Sequence, residues 1–292
     1  MALLALCVVV VAIVGAVLIA GLVLSRPVRF AIGPPPPGLA NAETVHIASE
    51  SGSLLSGWWL TGEPGDGCVV LMHGVRRSRR NMIRRAEVLH QNGFSVLLFD
   101  FQAHGESPGR RITFGGREAM DAAAAVAFAR RRVPEERIGV IGVSLGGAAA
   151  LLGPAPLPVD ALVLESIYPD LHTVLGNRLR KHLGPTAGPV MAPLLRPLFE
   201  LLMLPVLGVG PAALRPIDHI AAAGAPVLVA SGTRDVSTTI AEARSLFARA
   251  AEPKQFWAVE GAAHVDLQRH DPDAYWRLVL PFLIRYVRRG GA

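Results

Sequence analysis

The chain has 292 residues, room for one large α/β domain and an extension. Its 51% hydrophobic content and mean hydropathy of +0.39 are high for a soluble domain, and the N-terminus accounts for much of the excess. The net charge of +6 is carried by arginine, since lysine occurs only at Lys181 and Lys254, and the two cysteines, Cys7 and Cys68, argue against a disulfide framework.

Ala2 to Leu24 holds no charged or strongly polar side chain. As a helix, these 23 residues would extend about 35 Å, enough to cross a hydrocarbon core of roughly 30 Å. The basic segment of a signal peptide is missing and the apolar run is too long for one, although Ala40-Asn41-Ala42 has the form of a cleavage site. Residues 1–25 are therefore expected to be an uncleaved single-pass anchor, touching the bilayer through residues 2–24. Arg26 and Arg29 follow it, and the positive-inside rule then places the remaining domain in the cytoplasm. Residues 26–43 read as a linker, with Gly33 to Gly38 (GPPPPG) as a stiff spacer leading away from the bilayer.

From residue 44 to 292 the pattern is that of one domain. Thr44 to Ser49 and Leu54 to Leu60 read as a strand pair around Ser51-Gly52. Gly67 to Met72 is a buried strand, Asn81 to Asn92 an amphipathic helix and Ser95 to Asp100 another buried strand. Gly116 to Arg132 is a helix, Arg137 to Val143 a strand, Ala148 to Leu152 the start of a helix and Val159 to Glu165 a strand. Pro226 to Ser231, the helix Thr239 to Ala250, the strand Gln255 to Val259 and the helix Ala274 to Arg288 complete the series. Such alternation predicts a mostly parallel sheet covered by helices on both faces. Tyr168 to Pro216 breaks it, with many prolines, no strand pattern and an apolar helical stretch from Met191 to Leu207; a lid over residues 168–216 is expected.

Gly142-Val143-Ser144-Leu145-Gly146 lies between the strand and the helix, which is G-x-S-x-G in a strand–turn–helix setting. A Cβ at either glycine would clash with the neighbouring strand or helix, so the turn presents the Ser144 hydroxyl at the top of the sheet. Acyl transfer by serine needs a base, an acid that orients the base, and donors for the oxyanion. Asp235 and His264 follow consecutive strands in the required order and are the expected acid and base. Glu165, ending the strand after the nucleophile helix, is the alternative acid; Asp266 is too near His264 in sequence to orient it. The N–H groups of Leu145 and of Val75, after His73-Gly74, are the expected oxyanion donors. His73 is expected to hold its loop by hydrogen bonding, and Asp100 with His104 to Ser107 to shape the next loop.

The sequence resembles the α/β-hydrolase superfamily, in its serine-aminopeptidase-like branch of membrane-anchored hydrolases. The resemblance is carried by LMHGVRRSRRNM (Leu71 to Met82), LLFDFQAHGES (Leu97 to Ser107), IGVIGVSLGG, VLESIY (Val163 to Tyr168), RPIDHIA, PVLVASGTRD and WAVEGAAH. It implies Ser144 as nucleophile, Asp235 as acid, His264 as base, and Val75 and Leu145 as oxyanion donors. Gln102-Ala103 and Ala263 depart from the family pattern, where Arg-Gly and Gly are usual. The expected activity is hydrolysis of an ester, amide or thioester with an apolar or lipidic acyl group. Acyl transfer by the same triad and a non-catalytic binding role remain open. No cofactor or metal is implied: there is no H-E-x-x-H, clustered Cys/His, G-x-G-x-x-G or P-loop pattern in the needed context. Arg76, Arg77, Arg79, Arg80, Arg84 and Arg85 form a cluster that reads either as a solvated helix face or as a site for anionic headgroups or an acidic substrate. Nucleic acid is not expected, since no binding fold or aromatic platform accompanies the charge.

Overall fold

The computed structural model describes residues 1–264 and 267–290. The apolar, β-branched runs make an eight-stranded sheet from β1 (Glu43–Ala48), β2 (Leu54–Leu60), β3 (Cys68–Met72), β4 (Ser95–Phe99), β5 (Ile138–Val143), β6 (Ala161–Glu165), β7 (Val227–Gly232) and β8 (Lys254–Val259). The spatial order is 1-2-4-3-5-6-7-8. Only β2 runs against its neighbours β1 and β4; every other pairing is parallel. Strands β3 to β6 are buried along their whole length, which is why they read as continuous apolar runs rather than alternating ones.

Seven longer helices are used below: α1 (Ala2–Leu24), α2 (Ile83–Gln91), α3 (Glu118–Arg132), α4 (Leu145–Leu151), α5 (Leu171–Leu207), α6 (Ile240–Arg249) and α7 (Pro272–Val287). Ala125 and Val126 of α3, Ala148 of α4 and Leu246 of α6 join the core on one sheet face. Ala86 and Leu89 of α2 with Val279 and Leu283 of α7 join the core on the other. The sheet is thus sandwiched, and the C-terminal ends of β3, β5, β7 and β8 all open toward one edge, where ligands bind in such sheets.

The lid differs from its expectation. Helix begins at Leu171 rather than near Met191, and Gly184 (φ 79°) breaks α5 into two arms, 171–183 and 185–207. The arms run antiparallel: His172 Nδ1 lies 2.7 Å from Glu200 Oε1, and a Cβ on Gly188 would stand 2.6 Å from the Arg180 carbonyl oxygen. Pro185 directly after the turn has a fixed φ and a missing N–H that suit a first helical position.

Helix α1 is long and apolar enough to cross a membrane by length and composition; α5 meets the same criterion but is folded back on itself. Most of α1 is exposed, whereas its last turns dock on the lid. Val17 and Leu24 pack against Leu175, Phe199, Met203 and Leu207, and Gly21 leaves room for the Met203 side chain. The segment after α1 does not lead away as a spacer. Val28–Arg29 pairs in parallel with His104–Gly105, Glu106 accepts the Ile32 and Gly33 N–H groups at 2.9 and 3.2 Å, and Leu39 is buried against α2. Backbone hydrogen bonding and the Glu106 carboxylate thus hold the segment on the domain.

Candidate active site

Ser144 sits between β5 and α4 with φ 50° and ψ −106°, a conformation that costs a non-glycine residue energy and persists only where its surroundings impose it. They do so through the flanking glycines. A Cβ on Gly142 would stand 2.6 Å from Gly147 Cα, and one on Gly146 would collide with the Met72 carbonyl. Close approach of β3, β5 and α4 therefore fixes the turn, and the hydroxyl projects from the sheet edge.

His264, after β8, brings Nε2 to 3.5 Å from Ser144 Oγ. Its Nδ1 lies 2.7 Å from Asp235 Oδ2, after β7. A separation of 3.5 Å for the serine–histidine pair is long for a hydrogen bond, as is common before substrate tightens a site. Asp235 is itself held: Oδ1 accepts from the Ser237 and Thr238 N–H groups at 2.8 and 2.9 Å, and Oδ2 from Thr238 Oγ1 at 2.7 Å. Burial alone would raise its pKa, but the hydrogen bonds from His264 and Thr238, with the charge of a protonated His264, hold it below the ordinary carboxylate value. Ser237 and Thr238 were not singled out from sequence, although a serine and a threonine two and three residues after an aspartate are an available turn signal.

Val75 and Leu145 both line the pocket beside Ser144. Among the described hydrogen bonds neither backbone N–H is engaged elsewhere, which leaves both donors available at the pocket. The loop bearing Val75 is fixed from behind. His73, fully buried and with its pKa pushed down mainly by desolvation, is neutral; Nδ1–H donates to Gly74 O (2.8 Å) and Nε2 accepts from Phe101 N (3.1 Å). His104 Nε2 accepts the Arg76 N–H at 3.1 Å, where Arg76 has φ 58°. Asp100 accepts from the Arg79 backbone (2.7 Å), the Arg79 guanidinium and the Glu106 N–H (3.0 Å). Gln102, one of the departures, donates to Glu118 and to the Arg111 carbonyl. Ala103, the other, occupies φ 61°, where glycine would be unstrained.

Two expectations are corrected. Glu165 makes no hydrogen bond to His264 among the described contacts: its carboxylate accepts from the Arg85 guanidinium of α2 at 2.7 Å and the Tyr275 hydroxyl of α7 at 2.6 Å. The arginine cluster is not a single surface. Arg79 is buried between Asp100 and Glu106, and Arg85 beside Glu165 and Tyr275, so both are internal ion-pair partners; only Arg76, Arg77, Arg80 and Arg84 are exposed. Asp266 lies outside the described residues.

Above Ser144 the lid and α1 flank an apolar pocket lined by Leu24, Phe114, Leu171, Val174, Leu175 and Phe199 among others. Nothing in the sequence pointed to Leu24 in this role, because its approach depends on how α1 docks. Among the described residues no three His, Cys, Asp or Glu side chains cluster in a way that could hold a metal ion.

Comparison with known proteins gives a consistent picture. Residues 63–196 match a family model described as serine aminopeptidase, S33. A Mycobacterium tuberculosis protein described as uncharacterized is 32% identical over 228 residues, covering 76% of this chain and 72% of its own. The thiohydrolase aneE of Aspergillus aculeatus is 32% identical over 144 residues, 44% of this chain and 45% of its own. Among solved structures, the Pyrococcus furiosus esterase Pf2001 superposes with a TM-score of 0.72 at 27% identity, covering 90% of this chain and 98% of the esterase.

Proposed function

Since the chain belongs to the α/β-hydrolase superfamily and is a serine hydrolase of the esterase kind, we propose that it cleaves carboxylic ester or thioester bonds of apolar acyl substrates at a membrane surface, through an acyl-enzyme on Ser144. The observation that carries this is His264 standing between Ser144 and Asp235 beneath an apolar pocket. Ser144 Oγ attacks the carbonyl carbon while His264 Nε2 takes the hydroxyl proton, and Asp235 stabilises the imidazolium through Nδ1–H. The Val75 and Leu145 N–H groups receive the developing oxyanion. Collapse of the tetrahedral species expels the alcohol or thiol, which takes the proton from His264. Water then attacks the acyl carbon, giving up a proton to His264, and Ser144 is released with the free acid.

The apolar wall favours an aliphatic acyl group, and the thiohydrolase relative supports thioesters as alternatives to oxygen esters. The domain comprises residues 44–292, with its lid at about 168–216. Helix α1 serves as an uncleaved anchor, and Arg26 and Arg29 beyond it favour a cytoplasmic domain. Labelling of the detergent-solubilised protein with a fluorophosphonate probe tests the reading, beside Ser144→Ala and His264→Ala. Labelling that requires both residues is expected. Folded wild-type protein that does not label would remove the reading's main support.

A further inference from the structure

The pocket over Ser144 is apolar except at Ser144, Tyr168 and Arg178. The Tyr168 hydroxyl is engaged, donating to the Phe114 carbonyl at 2.7 Å. Arg178 is not. It is half-buried, and among the described residues its guanidinium makes no hydrogen bond and no ion pair. The contrast with the buried arginines is direct: Arg79 is held by Asp100 and Glu106, and Arg85 by Glu165 and Tyr275.

Its position is set by the lid. Arg178 stands four residues after Val174 and seven after Leu171, so all three share the face that lines the pocket. Asp235 is near enough to attract it electrostatically. The Asp235 oxygens, however, are occupied by Ser237, Thr238 and His264. A partly desolvated guanidinium with no hydrogen-bonding acceptor is costly, and its planar fork fits a carboxylate or phosphate bidentately.

We propose that Arg178 receives an anionic group of the substrate, a carboxylate or phosphate lying along the lid, so that acidic amphiphilic esters are preferred over neutral ones of equal length. This rests on the serine-hydrolase reading above and names its substrate class. The anion can belong to the acyl part or to the alcohol part, and the substrates below separate the two.

The full-length protein in detergent would be assayed on two pairs. The p-nitrophenyl monoester of octanedioic acid against p-nitrophenyl octanoate puts the charge on the acyl side. 1-Acylglycerol 3-phosphate against 1-acylglycerol puts it on the alcohol side. In at least one pair the acidic member is expected to have a kcat/KM about tenfold or more above its neutral partner, the scale of one charge-assisted contact. Arg178→Met should erase that preference while leaving neutral-ester turnover and fluorophosphonate labelling near wild type, and Arg178→Lys should restore part of it. The pair that responds identifies the side bearing the charge. Equal turnover within both pairs overturns the proposal, as does Arg178→Met lowering acidic and neutral substrates alike, which would mean a role through Asp235 or lid packing. In both cases labelling and neutral-ester turnover would leave the hydrolase reading standing. Absence of labelling and of all turnover in wild type would instead remove that reading, and this proposal with it.

Discussion

The floor and the roof of the pocket are built on different principles. The floor is backbone geometry: Ser144, Leu145 and Val75 stand on turns at the ends of β5 and β3, where a single added methyl at Gly146 meets the Met72 carbonyl. The roof is side-chain packing: Leu24, Leu175, Phe199 and Met203 meet between α1 and the two lid arms, with few polar ties. One such tie is Asn177, which donates to the Ser237 carbonyl at 3.1 Å and to Glu242 at 2.8 Å. A floor of this kind holds reacting atoms in place, whereas a roof of this kind selects what reaches them. Damage to the floor should therefore remove turnover, and damage to the roof should redistribute it among substrates.

The largest effect should come from exchanging the roles of two strand-end carboxylates. Asp235→Asn is expected to lower kcat by about three to four orders of magnitude, because the amide leaves the imidazole in the wrong tautomer. Glu165→Gln leaves the triad untouched but takes from the buried Arg85 a carboxylate that it meets at 2.7 Å, so about 1–3 kcal/mol of stability should go while the folded fraction stays active. Kinetics normalised to folded protein, with denaturant melts of both variants, would separate the two. A comparable loss of kcat in Glu165→Gln would mean that Glu165 acts on the reaction.

Within the floor, adjacent glycines should behave differently. Gly146→Ala forces β3 and α4 apart and should abolish fluorophosphonate labelling or soluble folding altogether. At Gly147 the nearest atom to a new Cβ is the Gly142 carbonyl oxygen at 3.0 Å and the next lies at 3.5 Å, so Ala should cost about 1 kcal/mol or less and preserve labelling. Equal loss at both positions would show that the turn is fixed by something other than this contact.

The same division explains what could be read from the chain. The elbow, the order of Ser144, Asp235 and His264, and the parallel strands are local or periodic signals, and the strands formed within two residues of their expected bounds. The fates of Arg79 and Arg85 were not legible, because their carboxylates lie 21 and 80 residues away and helical periodicity says nothing about charges arriving from other strands. Glu165 and Asp235 looked alike for the same reason: each is an acid near a strand end, and only the opposing side chain distinguishes them. Gly184-Pro185 was the available signal for the lid hairpin, but a proline-rich stretch offers many such dipeptides. Docking of α1 on the lid has no local signature at all.

A roof substitution should give a smaller and selective change. Leu24→Trp extends the last turn of α1 into the pocket. Esters of long acyl chains should lose about tenfold in kcat/KM, while acetate esters stay within about twofold, the scale of a filled apolar subsite. A uniform loss across chain lengths would place Leu24 in the floor's machinery after all.

The last effect concerns the support beneath the floor and reaches stability rather than turnover. Asp121 on α3 is buried and accepts from Ser49 Oγ, Ser51 Oγ and the Gln102 N–H at 2.6, 2.5 and 2.8 Å, tying the loop after β4 to the turn after β1. Burial pushes its pKa up to about 7, against the pull of those hydrogen bonds and with Glu118 adding to the rise. In the unfolded chain the group titrates near 3.8. Below that value it is protonated in both states and its contribution is fully present. Between the two values the folded state keeps a proton that the unfolded state has released, so stability falls as pH rises, and the contribution is lost once pH passes the folded pKa. Asp121→Asn carries no titrating group, so its stability relative to wild type should grow from pH 4 to pH 7 by about 1–3 kcal/mol, whatever fixed cost the lost acceptor adds. Paired urea melts at the two pH values measure it. A difference independent of pH would mean that the three donors hold Asp121 ionised despite its burial, with the loop then supported by a charge rather than by a neutral acid.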